Sequence, residues 1–329
     1  MSRKRALITG IFGQDGSYLC ELLSKKGYEV YGIEKTPLSN NAVKIKDHLK
    51  SKKVSPKLLN CDLYSYDDVF KTINKIKPNE VYHLAAKHFS SQSKGSNDNT
   101  DIKLYQDNVS ATLNILNALY KVSPISKCVL VGSCLMFDAS SEKKQSEKTQ
   151  FKTISMYGLA KIAEYYLGKY YRNKGMHVSM AIFYNHESPR RSEDFVTKKI
   201  VMSMVKIKKG EIRTFELGNL DAVKDWGYAK EYVYGLWQMS QMKRPDDYIL
   251  ATGIKHTVKD FVVEAANVLG IDNWRKYVSI NSKIINRNIS SKLIGIPHKA
   301  INKLKWKPKV GFKDLVKIMI KKELNGSLD

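Results

Sequence analysis

Short apolar runs alternate with longer amphipathic segments along the first 183 residues. Short apolar runs between turn signals predict buried strands, and apolar positions three or four residues apart predict helices. The predicted strands are Ala6–Thr9, Glu29–Ile33, Leu58–Asn60, Val81–Ala86, Cys128–Gly132 and Val178–Phe183. The predicted helices are Tyr18–Lys26, which Gly27 ends, Tyr66–Ile76, Leu104–Tyr120 and Tyr157–Asn173. This alternation predicts an α/β fold with a Rossmann-type, doubly wound parallel sheet.

The pattern loosens after Phe183. The polar segment His186–Arg191 is predicted to be a loop, and the final third mixes short strands, loops and helices, with Val258–Leu269 as its clearest helix. Earlier in the chain, the polar segment Ser90–Thr100 is also predicted to be a loop, positioned near a ligand.

The composition is that of an ordinary globular protein. Hydrophobic residues make up 43% of the 329 positions, and no apolar run approaches the roughly 20 residues that a membrane span needs. The basic start, Met1–Arg5, precedes an apolar stretch that is too short for a signal peptide. The four cysteines, Cys20, Cys61, Cys128 and Cys134, lack the paired spacing of a disulfide framework or a zinc site. We expect a cytoplasmic protein without membrane attachment or metal.

The formal net charge is +24 at pH 7. Lysines are spread along the whole chain, and no basic motif is interleaved with aromatic residues in the manner of a nucleic-acid-binding segment. The charge is therefore attributed to a lysine-rich composition and an anionic ligand, and no nucleic-acid partner is expected.

A glycine-rich turn, Gly10, Gly13 and Gly16, lies between the first predicted strand and the first predicted helix. Glycines let the backbone approach a pyrophosphate, and the helix N-terminus supplies N–H donors. The turn predicts a dinucleotide site, and the candidate cofactor-binding residues in it and at the following strand ends are Gly10, Phe12, Gly13, Gln14, Asp15, Gly16, Glu34, Asp62, Leu63, Leu84, Ala85 and Ala86.

Glu34 ends the second predicted strand. A carboxylate there accepts hydrogen bonds from the ribose hydroxyls of NAD and repels the 2′-phosphate of NADP, which favours NAD. Lys35, the next residue, is the feature that would attract that phosphate instead.

Tyr157 and Lys161 stand four residues apart in a predicted helix, so the phenol and the ammonium share one helix face. The ammonium is expected to lower the phenol's pKa, which would let Tyr157 act as a base near neutral pH. Ser133 precedes this helix and would complete a proton relay. The three residues are the predicted catalytic set for hydride transfer at a carbinol carbon, with Tyr157 and Lys161 also contacting the cofactor.

These features and several further motifs resemble the extended short-chain dehydrogenases/reductases, and more specifically the GDP-mannose 4,6-dehydratase family. The resemblance covers almost the whole chain. The motifs are ALITGIFGQDGSYL from Ala6, VYHLAA from Val81, YGLAK from Tyr157, NHESPRR from Asn185 with FVT from Phe195, GNLDA from Gly218 with DWG from Asp225, and LKWKP from Leu304.

The resemblance implies a GDP-linked sugar as substrate and a homo-dimer or homo-tetramer. The substrate-binding residues that it implies are His88, Asn185, Glu187, Arg190, Val196, Lys199, Asn219, Lys224 and Arg287. The arginine fork suits a diphosphate because it donates to two oxygens at once. We predict an NAD-binding Rossmann domain at 1–183, with returning segments at about 225–255, and a GDP-sugar-binding domain at 184–329.

One departure changes the expected reaction. In the family, a glutamate that removes the C5 proton follows the fifth strand, and Leu135 occupies its place here. The predicted function is therefore NAD-dependent oxidation at C4 of a GDP-linked hexose or heptose, or the reverse reduction, in surface-polysaccharide sugar biosynthesis. One alternative is a true 4,6-dehydratase with another base, for which Cys134 and His88 are candidates. A second is a non-catalytic NAD-binding scaffold subunit.

Overall fold

A computed structural model describes residues 3–34, 37–88, 98–138, 140–141, 143–281 and 292–328. Its centre is a sheet of seven parallel strands in the order β11-β6-β5-β4-β1-β2-β3. These strands are β1 (Arg5–Thr9), β2 (Glu29–Glu34), β3 (Lys57–Asn60), β4 (Glu80–His83), β5 (Lys127–Ser133), β6 (His177–Phe183) and β11 (Tyr248–Leu250). The doubly wound Rossmann-type sheet predicted from the sequence is confirmed.

The longer helices among the described residues cover the sheet and build the C-terminal part. They are α1 (Gln14–Lys25), α2 (Asn40–Ser51), α3 (Tyr66–Ile76), α4 (Asp98–Val122), α5 (Met156–Asn173), α6 (Val196–Lys208), α7 (Ala229–Gln241), α8 (Val258–Leu269) and α9 (Phe312–Leu324). Shorter helical turns occupy Cys134–Phe137, Trp274–Lys276 and Ala300–Leu304. Within the described ranges, none of these helices has the length and apolar character to cross a membrane.

In the described part of the chain, six short strands form three two-stranded pairs outside the main sheet. The pairs are β7 (Asn185–Glu187) with β10 (Trp226–Tyr228), β9 (Val223–Lys224) with β12 (His256–Thr257), and β8 (Phe215–Leu217) with β13 (Val278–Ile280). Helices α6, α8 and α9 pack together here around a core of their own, which includes Trp226, Phe261 and Leu315.

Several predicted elements differ from the observed ones. Helix α4 begins at Asp98 rather than Leu104, so it includes the end of the segment 90–100 that was predicted to be a loop; residues 90–97 lie outside the described residues. Helix α1 begins at Gln14 rather than Tyr18, because the glycine turn leads directly into helical backbone. The strand predicted over Val81–Ala86 ends at His83. The segment predicted as a polar loop from His186 is instead buried, and it contains strand β7. Its polar groups are buried because they bind one another and α1.

The order in which strands are added to the sheet reverses at β1, because β2 lies on one side of β1 and β4 lies on the other. Ligands of open α/β sheets bind in the crevice at such a switch point, beyond the carboxyl ends of the strands. The glycine turn, Glu34 and the residues after β4 and β5 all lie at this edge.

Candidate functional site

The glycine turn is shaped by close backbone contacts. Gly10 has a φ of +70°, and a Cβ there would lie 3.0 Å from the Ala85 nitrogen. A Cβ at Gly16 would lie 2.2 Å from the Gly10 carbonyl oxygen, so only glycine fits that position. Gly13 is the N-cap residue of α1, and no side-chain hydrogen bond caps this helix end. An uncapped helix N-terminus beside glycines fits the pyrophosphate of a dinucleotide.

Thr9 fixes the backbone after β4 beside this turn. Its Oγ1 accepts hydrogen bonds from the nitrogens of Leu84 and Ala85, at 3.1 and 3.0 Å, and lies 2.8 Å from His83 Nδ1. Burial lowers the pKa of His83 to about 3, with a further contribution from Lys161, so the ring is neutral. The predicted cofactor residues Leu84 and Ala85 are thereby held next to Gly10.

Glu34 lies at the carboxyl end of β2, where the ribose contact was predicted. Its Oε2 is 3.0 Å from the Nζ of Lys46 on α2, and that ammonium lies 5.4 Å from the centre of the Phe12 ring. Lys46 offsets part of the negative charge that would repel a 2′-phosphate. Lys35, the predicted competitor, lies outside the described residues.

Asp62 and Leu63 follow β3 as predicted. The Oδ1 of Asp62 accepts a hydrogen bond from the Tyr64 nitrogen at 3.0 Å, and the Leu63 carbonyl accepts one from Asn114 Nδ2 at 3.0 Å. The Asp62 side chain stays exposed at the sheet edge, where it is free to contact a base.

Hydrogen bonds and an ion pair join the start of α1 to residues 185–191, which are called the β7 segment. His186 Nε2 lies 2.9 Å from Asp15 Oδ2, and His186 Nδ1 lies 2.8 Å from the Tyr184 carbonyl oxygen. Gln14 donates to the His186 carbonyl at 3.1 Å and accepts from the Ser188 hydroxyl at 2.8 Å. Asp15 raises the pKa of His186 against the opposing effect of burial, and His186 lowers the pKa of Asp15 in return. Both side chains are therefore held in the ion pair.

Ser133 lies on β5, and Tyr157 and Lys161 lie on α5, which packs against β5 and the turn that follows it. Ser133 is the last residue of β5, and its Oγ accepts a hydrogen bond from the Leu135 nitrogen at 3.2 Å. A Cβ at Gly158 would lie 2.4 Å from the Leu135 carbonyl oxygen, so glycine lets α5 approach the turn after β5. Among the described residues, no direct hydrogen bond joins Ser133 to the Tyr157 phenol.

Lys161 points to a carboxylate on its own helix. Its Nζ lies 2.9 Å from Glu164 Oε2 and 5.6 Å from the centre of the Tyr157 ring. Burial raises the pKa of Tyr157, and Lys161 only partly opposes this. The expectation of a phenol pKa lowered toward neutrality is therefore wrong for this structure, because desolvation outweighs the ammonium. Glu164 holds the pKa of Lys161 above its usual value.

His88 forms one wall of the site beside Tyr157. The two rings meet edge to face with their centres 4.5 Å apart, and His88 stacks on Phe195 at 5.8 Å. Desolvation by the surrounding protein, together with Arg191 and Lys161, lowers the pKa of His88 to about 4, although one side of the residue remains exposed. The imidazole is thus neutral at pH 7 and has a nitrogen that can accept a proton.

Arg191 and Glu187 complete this wall. The Arg191 guanidinium lies 3.4 Å from the centre of the Phe195 ring, and its Nε is 3.2 Å from Glu187 Oε2. The same carboxylate oxygen accepts a 2.6 Å hydrogen bond from Thr197 at the start of α6. Arg191 is therefore the arginine that lies beside Phe195 and His88, next to the predicted catalytic residue Tyr157.

Arg190 has a structural environment that does not suit substrate binding. Its side chain is fully buried; it donates to Ser17 Oγ at 3.0 Å, pairs with Glu21, and lies 3.8 Å from the centre of the Tyr18 ring. All these partners belong to α1, so the Arg190 side chain stabilises the packing of the β7 segment against that helix. This environment argues against the substrate role predicted for Arg190, which stays a prediction.

The other predicted substrate residues lie on the C-terminal side of the crevice, except Arg287, which lies outside the described residues. Asn185 is on β7, and Val196 and Lys199 are in the first turn of α6. Asn219 is exposed, and its Oδ1 accepts a hydrogen bond from the Asp221 nitrogen at 2.8 Å. Lys224 is on β9, and burial lowers its pKa while Cys134 and Asp138 oppose the shift.

Sequence reasoning missed two carboxylates near this site. Asp225 is fully buried and accepts hydrogen bonds from Thr252, Gly253 and Gly295, which ties β9 and β10 to two distant loops. Glu164 is the second. Its spacing of three residues from Lys161 on a helix was a readable signal for the ion pair.

Neither residue near the expected position of the elimination base is a carboxylate. Leu135 lies in the turn after β5 and packs against the apolar core. Cys134 is buried, and burial raises the pKa of its thiol to about 11, so it is protonated at neutral pH. Of the two substitute bases considered from the sequence, Cys134 is therefore the poorer proton acceptor and His88 the better one.

Comparison with known proteins gives the same family as the motifs. A family model described as GDP-mannose 4,6 dehydratase matches residues 7–319. The chain is 40% identical over 333 residues to GDP-mannose 4,6 dehydratase 2 of Arabidopsis thaliana, covering 98% of this chain and 87% of that protein. It is 32% identical over 360 residues to GDP-mannose 4,6-dehydratase of Vibrio cholerae, covering 98% and 94%.

Solved structures share the fold. UDP-glucose 4-epimerase of Thermus thermophilus, in complex with NAD, has a TM-score of 0.79 at 20% identity, covering 98% of this chain and 99% of that one. The family model and the two relatives each extend over nearly all of this sequence. The chain therefore belongs to the GDP-mannose 4,6-dehydratase family.

Proposed function

We propose that this protein transfers a hydride at C4 of a GDP-linked hexose or heptose, with NAD as its cofactor, in the synthesis of sugars for a surface polysaccharide. One observation carries the proposal: Tyr157 and Lys161 lie beside His88 at the same sheet edge as the glycine turn. A nicotinamide bound there supplies the hydride acceptor for the sugar carbon. The residues of the chain then have to bind the sugar and move a proton at its hydroxyl oxygen.

Tyr157 is the proposed proton-transfer group. Its phenol would take the proton of the C4 hydroxyl during oxidation and return it to the C4 oxygen during reduction. Lys161 acts on the phenol electrostatically, and Ser133, at the end of β5, would orient the hydroxyl. General acid–base groups typically contribute about 10²–10⁴ to the rate.

The GDP-linked substrate is supported by the names of the relatives and by the charges of the crevice. The relatives are named for GDP-mannose. Positive charge is carried by Lys199 on α6, by Lys224 on β9 and by Arg191 beside Phe195. A diphosphate is the group that such a set of cations suits.

The relatives' names also favour a second candidate, a 4,6-dehydratase. After oxidation at C4, elimination requires a base at C5, and Leu135 has no atom that accepts a proton. His88 is the neutral, partly exposed group beside Tyr157 that could take this role. The two candidates share the oxidation at C4 and differ in the fate of the 4-keto sugar.

Mass analysis after incubation with GDP-mannose and GDP-heptose separates them. We expect loss of two hydrogens, no loss of water and, in heavy water, no enzyme-dependent deuterium at C5 or C6. A 4-keto-6-deoxy product would refute the oxidoreductase and support the dehydratase. Absence of turnover with every GDP-sugar, in either direction, would refute both and leave the scaffold hypothesis.

A further inference from the structure

Glu164 is a buried carboxylate that the proposed reaction does not use. It lies one helical turn beyond Lys161 on α5, and its Oε2 is 2.9 Å from the Lys161 Nζ. The side chains of Lys161 and Glu164 are 4% and 1% exposed. Water therefore screens this ion pair little, so its charges act on the neighbouring Tyr157 more strongly than exposed charges would.

The remaining contacts of Glu164 leave Lys161 as its main partner. The hydroxyl of Thr112 on α4 lies against the carboxylate, and Glu164 Oε1 has no hydrogen-bond partner among the described residues. Burial raises the pKa of Glu164, and Lys161 opposes that shift. The Lys161 ammonium favours the ionised form of this carboxylate, against the effect of burial.

Glu187, the other carboxylate of this wall, pairs with Arg191 at 3.2 Å. The remaining groups named around Tyr157 in the described part of the chain carry no negative charge. His83 on β4 and His88 after it are neutral, because their pKa values are lowered to about 3 and about 4. Cys134 in the turn after β5 is protonated, since its pKa is raised to about 11. Arg191 adds positive charge and lowers the pKa of Tyr157, whereas Glu164 raises it.

We propose that Glu164 is a positioning residue that pairs with Lys161, weakens the action of the ammonium on the Tyr157 phenol, and so adds to the effect of burial in keeping Tyr157 protonated. A protonated phenol is ready to donate. The site is thereby set for the reductive direction of the proposed function, on which this inference rests. In that step the C4 carbonyl carbon gains a hydride from a reduced nicotinamide dinucleotide, and the Tyr157 O–H bond breaks to protonate the C4 oxygen. Solvent then reprotonates the phenolate.

The test compares the pH profiles of Glu164→Gln and the unmodified enzyme, measured as 4-keto formation from GDP-mannose and GDP-heptose. Glutamine keeps an acceptor for Lys161 but removes the negative charge. Oxidation needs the phenolate, so its rate rises as pH passes the pKa of Tyr157. We expect the rising limb to move to lower pH by about one unit, which is about a tenfold gain in rate below the limb.

A matched control removes a different ion pair. Glu323 on α9 pairs with Lys198 at 2.6 Å, away from Tyr157. Glu323→Gln should leave the rising limb of the pH profile in place. This result separates an effect on Tyr157 from the general effect of removing an ion pair. Glu164→Asp retains the charge but withdraws it from Lys161, and is expected to give a smaller shift in the same direction even if glutamine prevents folding.

Titration of the phenol provides a readout that does not need turnover. The ultraviolet difference between the parent protein and its Tyr157→Phe variant reports ionisation of Tyr157, with and without the Glu164 substitution. A lower ionisation pH after the substitution supports the inference even if no GDP-sugar turns over, an outcome that would refute the proposed function alone. An unchanged pH overturns the inference. A rise also overturns it, since Glu164 would then act mainly by keeping Lys161 charged.

Discussion

Asp225 offers a quantitative test of how the substrate side of the crevice is held together. Its carboxylate is fully buried. Oδ1 accepts from the Thr252 nitrogen and hydroxyl at 2.9 and 2.6 Å, and Oδ2 accepts from the nitrogens of Gly253 and Gly295 at 2.9 and 3.2 Å. In Asp225→Asn, the amide oxygen can retain the Thr252 bonds, but the amide nitrogen then faces two N–H donors.

The expected loss of stability comes from those two donors. A buried donor without an acceptor costs about 1–3 kcal/mol, so two of them give about 2–6 kcal/mol. The variant should therefore unfold at clearly lower urea concentration than the parent, with a similar dependence on denaturant. Because Asp225 follows Lys224, we also expect weaker binding of the GDP-sugar at temperatures where the variant remains folded.

Asp246→Asn is the matched control for Asp225→Asn. Asp246 also accepts two hydrogen bonds, from the Asp247 nitrogen at 2.8 Å and Lys299 Nζ at 2.7 Å, but its side chain is 46% exposed. Exposed ion pairs contribute about 0–1 kcal/mol, so this variant should unfold close to the parent. Equal unfolding midpoints for the two variants would show that the buried hydrogen bonds of Asp225 do not stabilise this region as argued.

Three further predictions concern the chemistry, the cofactor and the assembly. Tyr157→Phe should reduce hydride transfer by about 10²–10⁴ while NAD still binds, and more than half of the activity remaining would exclude Tyr157 as the proton-transfer group. Titration should show tighter binding of NAD than of NADP, and Glu34→Ala should narrow the difference; tighter NADP binding by the parent would contradict the role of Glu34. Light scattering at micromolar concentration should detect a homo-oligomer, with an interface on α4 and α5, where Tyr166 and Tyr170 are exposed; a monomer near 37.5 kDa would count against this.

Elements with strong local signals could be predicted from the sequence. Helix α3 was predicted with its observed bounds because Ser65 caps it and apolar residues recur at helical spacing. Helix α8 has a capping box between Thr257 and Asp260 and a left-handed Gly270 at its end. In both cases the residues that start and stop the helix are adjacent in sequence to the residues that it buries.

Helix α2, which buries few residues, was missed. In α2 only Ile45 and Leu49 are buried, and the rest of the segment is mostly polar, so its pattern does not differ clearly from that of a loop. Strand β7 was missed for the opposite reason, because its polar residues are buried. Polarity predicts exposure only when no partner is available, and the α1 partners of His186 and Arg190 lie 169 to 173 residues away in sequence.

The residues of the candidate site likewise divide into those that the sequence identifies and those that only the structure identifies. Motif spacing identified Tyr157, Lys161 and the glycine turn, because their chemistry depends on residues close together in the chain. It did not identify Phe195 as the neighbour of His88. It also named Arg190 as the substrate arginine, whereas Arg191 is the one that lies beside Phe195, because these positions depend on packing between elements. The neutral state of His88 likewise results from desolvation and two nearby cations, and not from its neighbours in sequence.

The buried polar contacts between α1 and the β7 segment bear directly on the chemistry. Gln14 and Asp15 belong to the start of α1, where the glycine turn would hold a pyrophosphate, and His186 and Ser188 belong to the segment that begins with the substrate candidate Asn185. A shift of either segment would break several buried hydrogen bonds at once, each costly to leave unmade. In the proposed function, these contacts would fix the positions of cofactor and sugar relative to each other, which hydride transfer between them requires. This accounts for a polar segment being buried where an apolar one would pack more simply.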